Sequence, residues 1–264
     1  MSSTTLPQST DLRAAEGPSL TVPFTRLVTV EIRKLADTRT ALVLLTLLVL
    51  SAIGAMIVNA RYFTQGVQDV QDVATSSAPI LGLFLPVLGI VSVTSEWSKR
   101  TTLTTFALEP RRWRVLVAKA VAGTVAAVAT SALMIAVAYP TTAVVAAVRG
   151  VEAHFALDPV ALAGWTATNV LFTLCGIALG SMLLNAAASI VVYFVASIAW
   201  GFIGLTGDLG STLAGWLDLN VTAVPLADGE MSADAIGPLL ASIGLWVATP
   251  FLLGVLRVSR MELR

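Results

Sequence analysis

The sequence ALVLLTLLVLSAIGAMIVN, residues 41–59, contains no charged residue and is long enough to cross a lipid bilayer as one helix. A bilayer core is about 30 Å thick and takes about 20 helical residues. Similar apolar runs follow near 77–94, 115–139, 160–184, 188–205 and 237–256. The sequence therefore predicts an all-α membrane protein with six transmembrane helices. The third run continues past Pro140 to Val148, so this helix is expected to be long, tilted or broken there.

The composition agrees with a membrane location. Of the 264 residues, 56% are hydrophobic and only 12% are charged, whereas soluble domains average about 25% charged residues. Residues 1–22 are polar and lack the apolar core of a signal peptide, which predicts a disordered cytoplasmic tail. The membrane domain is then expected over 23–264. Cys175 is the only cysteine, so no intrachain disulfide can form.

Charged residues are divided unequally between the two sides of the predicted bundle. If both termini lie on one side, the segments there hold 14 basic and 7 acidic residues. The loops on the other side hold Arg61 and Arg149 against nine acidic residues. Cytoplasmic loops are enriched in Lys and Arg. The sequence therefore predicts that both termini are cytoplasmic, although the formal net charge of the chain is zero.

The predicted spans lack ionisable residues at lipid depth. Lys119 is about one turn inside the third run and is expected to extend its ammonium group to the surface. Ion-driven transporters usually keep ionisable groups in their spans, which disfavours a secondary transporter, although sodium sites built from carbonyls and hydroxyls would escape notice. The chain has no Gly-Lys-Ser or Gly-Lys-Thr phosphate loop and no convergent catalytic groups, so an enzyme is not expected. His154 is expected to be a solvated loop residue.

The segment SEWSKRTTLTTFALEPRRWRVLVAK, residues 95–119, joins the second and third runs. Residues 96–108 predict a short helix in which Leu103 and Phe106 form an apolar pair. Pro110 ends this helix, and residues 111–114 are expected at the lipid headgroups. One interpretation is lipid anchoring with the usual positive charge inside. The other, which explains the polar helix better, is a docking surface for a cytoplasmic partner.

A second amphipathic segment, PFTRLVTVEIRKLADTRTAL, begins at Pro23. Its apolar and basic residues occupy opposite arcs, which predicts a helix lying along the membrane over 23–38. Glu31 falls inside the apolar arc, where an unpaired carboxylate is costly. In one interpretation Glu31 pairs with a cation from residues 111–119. In the other, the helix rolls so that Glu31 reaches water. The apolar arc contains Phe24, Leu27, Val28, Ile32 and Leu35.

In this order, these segments resemble the six-span permease subunits of type-2 ABC exporters. The resemblance covers nearly the whole chain after residue 22. Its most specific part is an E-W-x-x-x-T segment, followed by P-R-R and a lysine in the third span. In this chain those residues are Glu96, Trp97, Thr101, Pro110, Arg111, Arg112 and Lys119.

The resemblance implies a bacterial inner-membrane protein with an elbow helix and a coupling loop over 95–114. The elbow helix would include Glu31, Arg33 and Lys34. The implied partners are two copies of a separate ATPase subunit, a second permease of the same or a different sequence, and the lipid bilayer, with no nucleic acid. ATP and Mg²⁺ would bind to the ATPase, and no cofactor, catalytic residue or metal ligand is implied here. The implied coupling residues are Glu96, Trp97, Lys99, Arg100, Thr101, Thr102, Leu103, Phe106, Arg111 and Arg112.

Two further features concern packing and the outer side. Gly176 and Gly180 have the spacing that lets helices approach closely, and packing within one bundle is favoured over a dimer seam. Residues 206–236 are expected to form short helices at the outer interface. The apolar path favours export of a hydrophobic or amphipathic drug, antibiotic or peptide. The alternatives are a receptor or scaffold that recruits a cytoplasmic partner, and a secondary transporter.

Overall fold

The computed structural model describes residues 22–64, 66–98 and 111–260 and is almost entirely helical. Six of its helices are long and apolar enough to cross a bilayer, which confirms the six apolar runs found in the sequence. We name them spans 1 to 6. A separate helix, Phe24–Asp37, precedes them and is called the N-terminal helix. The spans are Arg39–Phe63, Val70–Trp97, Arg112–Arg149, Pro159–Leu183, Ala186–Ile203 and Ala233–Arg260.

Three spans are interrupted by irregular turns. Span 1 consists of the α-helix Arg39–Val58 and the π-helical turn Asn59–Phe63. Span 2 begins with the short helix Val70–Thr75 and continues as Ala78–Ser98. In span 6 the helices Ala233–Ile243 and Thr249–Arg260 flank a π-helical turn, Gly244–Ala248. The short helices Asp208–Leu217, Leu219–Thr222 and Val224–Ala227 lie between spans 5 and 6, as the sequence predicted for this segment.

Span 3 is one continuous helix of 38 residues. At 1.5 Å per residue it is about 57 Å long, nearly twice the thickness of a bilayer core. Pro140 lies inside the helix without ending it, so of the alternatives expected there the helix is long and is not broken. Gly150 ends the helix with φ 67°, a left-handed conformation that glycine adopts without strain.

Span 4 lies at the centre of the bundle, where it contacts spans 2, 3 and 6. It packs tightly against span 2: a Cβ added at Gly176 would collide with the backbone of Pro86, and one at Gly180 would lie 3.2 Å from the Cα of Ile90. Both glycines thus pack within one chain, as the preferred interpretation of their spacing expected. Span 5, by contrast, lies mostly at the surface of the bundle, because only 6% of its apolar residues 186–203 are buried.

The Gly176 contact predicts that Gly176→Ala destabilises the protein by about 1–3 kcal/mol, the usual cost of overpacking a tight contact. The obstructing atoms belong to the Pro86 backbone, which cannot rotate away as a side chain can. Thermal unfolding of the detergent-purified protein, followed by tryptophan fluorescence, measures the loss. Gly54→Ala in span 1 is the matched control, because no atom lies within 4 Å of its added Cβ. Equal melting temperatures for the two variants would contradict the tight contact.

Candidate functional site

The two ends of the bundle carry opposite charge. Three contacts bring the starts of spans 1 and 3 together with the ends of spans 2, 4 and 6. They join Lys34 to Glu96, Arg112 to Val258, and Arg257 to Met182. We call this the basic end. Its described cations are Arg26, Arg33, Lys34, Arg39, Arg111, Arg112, Arg114, Lys119, Arg257 and Arg260, and its described anions are Glu31, Asp37 and Glu96.

Four ionisable side chains at the basic end form a closed ring of alternating charge. Lys119 Nζ lies 2.6 Å from Glu31 Oε2 and 2.9 Å from Glu96 Oε1. Lys34 Nζ lies 2.7 Å from Glu31 Oε1 and 2.6 Å from Glu96 Oε1. We call Glu31, Lys34, Glu96 and Lys119 the charge ring. Because it contains two cations and two anions, it carries no net charge.

Lys119 is the most deeply buried member of the charge ring. Its side chain is 3% exposed, and those of Glu31 and Glu96 are 8% and 9% exposed. An ammonium group has three donors, and a third bond from Nζ reaches the carbonyl oxygen of Ser92 at 3.0 Å. All three protons thus have an acceptor. Burying ions without such compensation costs several kcal/mol for each ion.

The charge ring connects three helices. Glu31 and Lys34 are three residues apart on the N-terminal helix, a spacing that places them on one face. Glu96 lies in the last turn of span 2, and Lys119 lies two turns into span 3. Residues 99–110 join these two spans and lie outside the described residues. The ring therefore holds together both ends of that connection and the N-terminal helix.

Lys34 is the most exposed member, with 38% of its side chain accessible. Partial burial lowers its pKa, but the charges of Glu31 and Glu96 and their hydrogen bonds outweigh this effect, so the pKa lies above its usual value. A raised lysine pKa means that the stabilisation is present at neutral pH and is lost only as the pH rises through that value. The contribution of the Lys34 charge to the ring is therefore present at neutral pH.

The structure confirms one expectation about these residues and corrects two. Glu31 does meet a cation from residues 111–119, namely Lys119. Lys119 was expected to reach the surface, and this was wrong, because two carboxylates hold it inside the protein. Glu96 was expected to begin a separate short helix, whereas it belongs to the end of the long helix Ala78–Ser98. The sequence also missed the contact between Lys34 and Glu96, which are 62 positions apart.

The remaining residues predicted to couple to a partner are only partly described. Trp97 packs against a buried apolar cluster that includes Val115 and Val258. Arg111 precedes the first turn of span 3, and the Arg112 guanidinium donates to the carbonyl oxygen of Val258 at 2.9 Å. Those outside the described residues are Lys99, Arg100, Thr101, Thr102, Leu103 and Phe106. Of the residues predicted for the elbow, Arg33 is exposed.

The acidic end, opposite the charge ring, contains contacts that the sequence did not predict. Two short strands, Gln68–Asp69 and Ala153–His154, pair in parallel. His154 is exposed as expected, but its Nδ1 lies 2.7 Å from Asp69 Oδ2. Partial burial raises the pKa of Asp69, yet the hydrogen bonds with His154 and from the Gln71 amide outweigh this and lower it. Arg149 donates to the carbonyl oxygen of Ala60 at 2.9 Å, which joins spans 1 and 3.

Within residues 22–64, 66–98 and 111–260, no three His, Cys, Asp or Glu side chains are placed to hold a metal ion. No model of a known protein family matches the chain, and no curated protein is similar to it.

Replacing Lys119 with methionine is expected to destabilise the protein by about 3–5 kcal/mol, because two buried carboxylates lose their shared partner. Lys34→Met should cost less, since water reaches the Lys34 side chain. Denaturant titration of the purified protein gives both values.

Arg33→Met is the matched control, because Arg33 lies on the same helix but is exposed. Its effect should stay within about 0.5 kcal/mol. If Lys119→Met is no more destabilising than Arg33→Met, the charge ring does not hold the three helices together.

Proposed function

We propose that this chain is the transmembrane permease subunit of an ATP-driven ABC transporter that exports a hydrophobic or amphipathic compound. A separate ATPase, in two copies, would dock at the basic end, and a second permease would complete the pathway. The observation that carries the proposal is the charge ring, which fastens both ends of the connection between spans 2 and 3 to the N-terminal helix. A partner pressing on residues 99–110 would act on three helices at once.

The tight packing of span 2 supports this proposed transmission. Buried ion pairs resist separation, because breaking one leaves an uncompensated charge. A displacement applied at residues 99–110 would therefore move the ends of spans 2 and 3 as one unit. Span 2 in turn packs against the central span 4 through Gly176 and Gly180. This continuous contact gives a route from a docked ATPase to the centre of the bundle.

The N-terminal helix fits the proposed elbow over 23–38. One face carries the exposed residues Arg26 and Arg33, and the other buries Glu31. A helix with one basic and one buried face suits the boundary between headgroups and protein. In this proposal the charge ring fixes the rotation of the elbow about its own axis. The tail predicted over 1–22 lies, apart from Val22, outside the described residues.

An apolar groove supports a hydrophobic cargo. It has a volume of about 660 Å³ and lies among spans 3, 4 and 6 and the short outer helices. Val128, Leu162 and Leu239 are among its ten lining residues, and Thr166 is the single polar one. Ligand cavities commonly measure about 300–1,000 Å³ and are mainly apolar. The groove has the size and chemistry of a site for a lipid-soluble compound.

A secondary transporter is the second candidate, because Glu96 and Lys119 are ionisable groups buried within spans. Ion-coupled transporters use such residues as carriers of charge. In the charge ring, however, each carboxylate contacts both lysines at 2.6–2.9 Å, so no member is left unpaired. Uptake of cargo into liposomes that contain this chain alone, driven by a proton or sodium gradient, would favour this candidate over the first.

The proposed orientation predicts which positions are accessible from outside the cell. Cys175→Ala would remove the only cysteine, after which Glu230→Cys and Asp37→Cys place single thiols at the acidic and basic ends. We expect a membrane-impermeant maleimide to label residue 230 in intact cells and residue 37 only after permeabilisation. The basic end then faces the cytoplasm, as charge bias dictates. The reverse labelling pattern would exclude the proposed ATPase docking side.

Docking predicts that Leu103→Ser combined with Phe106→Ser abolishes cargo-stimulated ATP hydrolysis, because the apolar pair expected to contact the ATPase is lost. The full complex is purified with its ATPase from the native membrane, and its ATP hydrolysis is measured with and without a lipophilic drug mixture.

The control is Leu205→Ser combined with Leu209→Ser at the opposite end, where both side chains are more than 80% exposed. This control should hydrolyse ATP as the unmodified complex does. Normal stimulation in the Leu103 and Phe106 variant, with normal membrane insertion, would count against docking at this loop.

A further inference from the structure

A third buried carboxylate, Asp218, belongs to the segment that connects spans 5 and 6 at the acidic end and, unlike those of the charge ring, has no cationic partner among the described residues. Asp218 is 4% exposed. Of the cations at that end, Arg149 donates to the backbone carbonyls of Ala60 and Thr64, and Arg61 lies over the ring of Tyr62. Buried carboxylates are normally paired or fully hydrogen-bonded. The environment of Asp218 therefore calls for an explanation.

The two oxygens of Asp218 differ in what they contact. Oδ1 accepts from the backbone amide and the side-chain amide of Asn220, each at 2.9 Å, and so caps the helix Leu219–Thr222. Oδ2 accepts no hydrogen bond from the described part of the chain. Among the described residues, the fully buried side-chain atoms without a hydrogen-bond partner are Thr142 Oγ1 and Trp165 Nε1. Oδ2 of Asp218 is not one of them, so this oxygen is in contact with open space. The helix cap explains Oδ1 and leaves Oδ2 unexplained.

Asp218 lines a small cavity in which four of the ten lining residues are aromatic. The cavity lies among spans 4, 5 and 6 and has a volume of about 20 Å³. Its aromatic residues are Phe172, Tyr193, Trp200 and Trp246. Aromatic ring faces attract cations, and a nearby carboxylate adds charge of the required sign. Aromatic walls and one unpartnered carboxylate oxygen together favour a positively charged group.

Two of the aromatic side chains are fixed in place before any ligand arrives. The Tyr193 hydroxyl donates to the carbonyl oxygen of Gly82 at 2.9 Å, and Trp246 Nε1 donates to that of Leu217 at 2.7 Å. Asn220 Nδ2 also reaches the Ser197 hydroxyl at 3.2 Å, which ties the short outer helix to span 5. A site whose groups are already ordered loses less entropy on binding.

The volume of the cavity limits what can enter. About 10–15 Å³ is enough for one water molecule, so 20 Å³ admits a group the size of an ammonium but not a trimethylammonium. We propose that the cavity binds the primary ammonium group of a lipophilic amine, held by Asp218 Oδ2 among the aromatic rings, with its apolar tail directed outward. The claim that such an amine is exported depends on the proposed function, whereas the claim that the cavity binds it does not.

The test is calorimetric titration of the full chain in phosphatidylcholine nanodiscs with 2-phenylethylamine, a charged primary amine at neutral pH. We expect saturable binding with one site per chain. The neutral isostere 2-phenylethanol and the N,N,N-trimethyl derivative should bind at least about tenfold more weakly, since the first lacks the charge and the second exceeds the cavity. Absence of saturable binding would mean that water alone occupies the cavity and would overturn the proposal, as would equal binding of 2-phenylethanol.

Asp218→Asn is the informative variant, because asparagine also caps helices but lacks the charge. It should weaken amine binding at least about tenfold, the effect expected for a lost charged hydrogen bond. Asp208→Asn is the matched control, since Asp208 is an exposed carboxylate at the same end, and it should bind the amine normally. Undiminished binding by Asp218→Asn would refute the assignment.

If Asp218→Asn fails to fold, Trp200→Leu provides a second test. It keeps an apolar wall and removes the ring, and it should weaken binding, whereas Trp216→Leu at a half-exposed position should not. Undiminished amine binding by Trp200→Leu would likewise refute the site. The outcomes also separate this inference from the proposed function. Amine binding without ATPase association would support the amine site and refute the exporter. ATPase stimulation without amine binding would support the exporter and refute the amine site.

Discussion

The burial of one ammonium group, that of Lys119, determines how the basic end of the bundle is assembled. A lysine two turns inside an apolar helix must either reach water or find anions. Here it contacts Glu31 and Glu96, which come from two other helices. Each carboxylate in turn depends on Lys119 for a buried cation, because its other partner, Lys34, is partly exposed to water. The requirement is mutual, so the N-terminal helix, span 2 and span 3 have one favourable arrangement at this end.

Much of this fold could be read from the sequence because hydropathy acts locally. Each apolar run became a helix, and of the two interpretations left open for Glu31 the structure has the pairing with a cation from residues 111–119. Contacts between distant residues left no such signal. Lys34 meets Glu96 and His154 meets Asp69 across more than 60 positions, and no local period marks either pair. Lys119 was misplaced for a related reason: its distance from the end of an apolar run says nothing about which anions the fold brings to it.

The charge ring and the cavity that contains Asp218 differ in how their buried charge is compensated. At the basic end the charge ring is closed and neutral, and its members hold one another. Asp218, in the segment between spans 5 and 6, is even more deeply buried than Glu31 and Glu96, yet it lines a cavity and one of its oxygens accepts no hydrogen bond from the described residues. A compensated set of charges is suited to holding helices together, because nothing further is gained by binding an ion. An uncompensated carboxylate is suited to binding, because a ligand supplies what the protein lacks.

The separation of these two sites along span 4 bears on how they could act together. Gly180 contacts span 2 near the charge ring, and Cys175, one turn away, lines the cavity that contains Asp218. Span 4 is also the central helix, in contact with spans 2, 3 and 6. Span 6 supplies Trp246 to the cavity through a π-helical turn, a geometry often found at functional positions. A shift of span 2 would therefore reach the cavity through one intervening helix. If such a shift changed the affinity of the cavity for a ligand, the ligand would change the equilibrium of the shift by the same factor, since coupling between two sites is reciprocal.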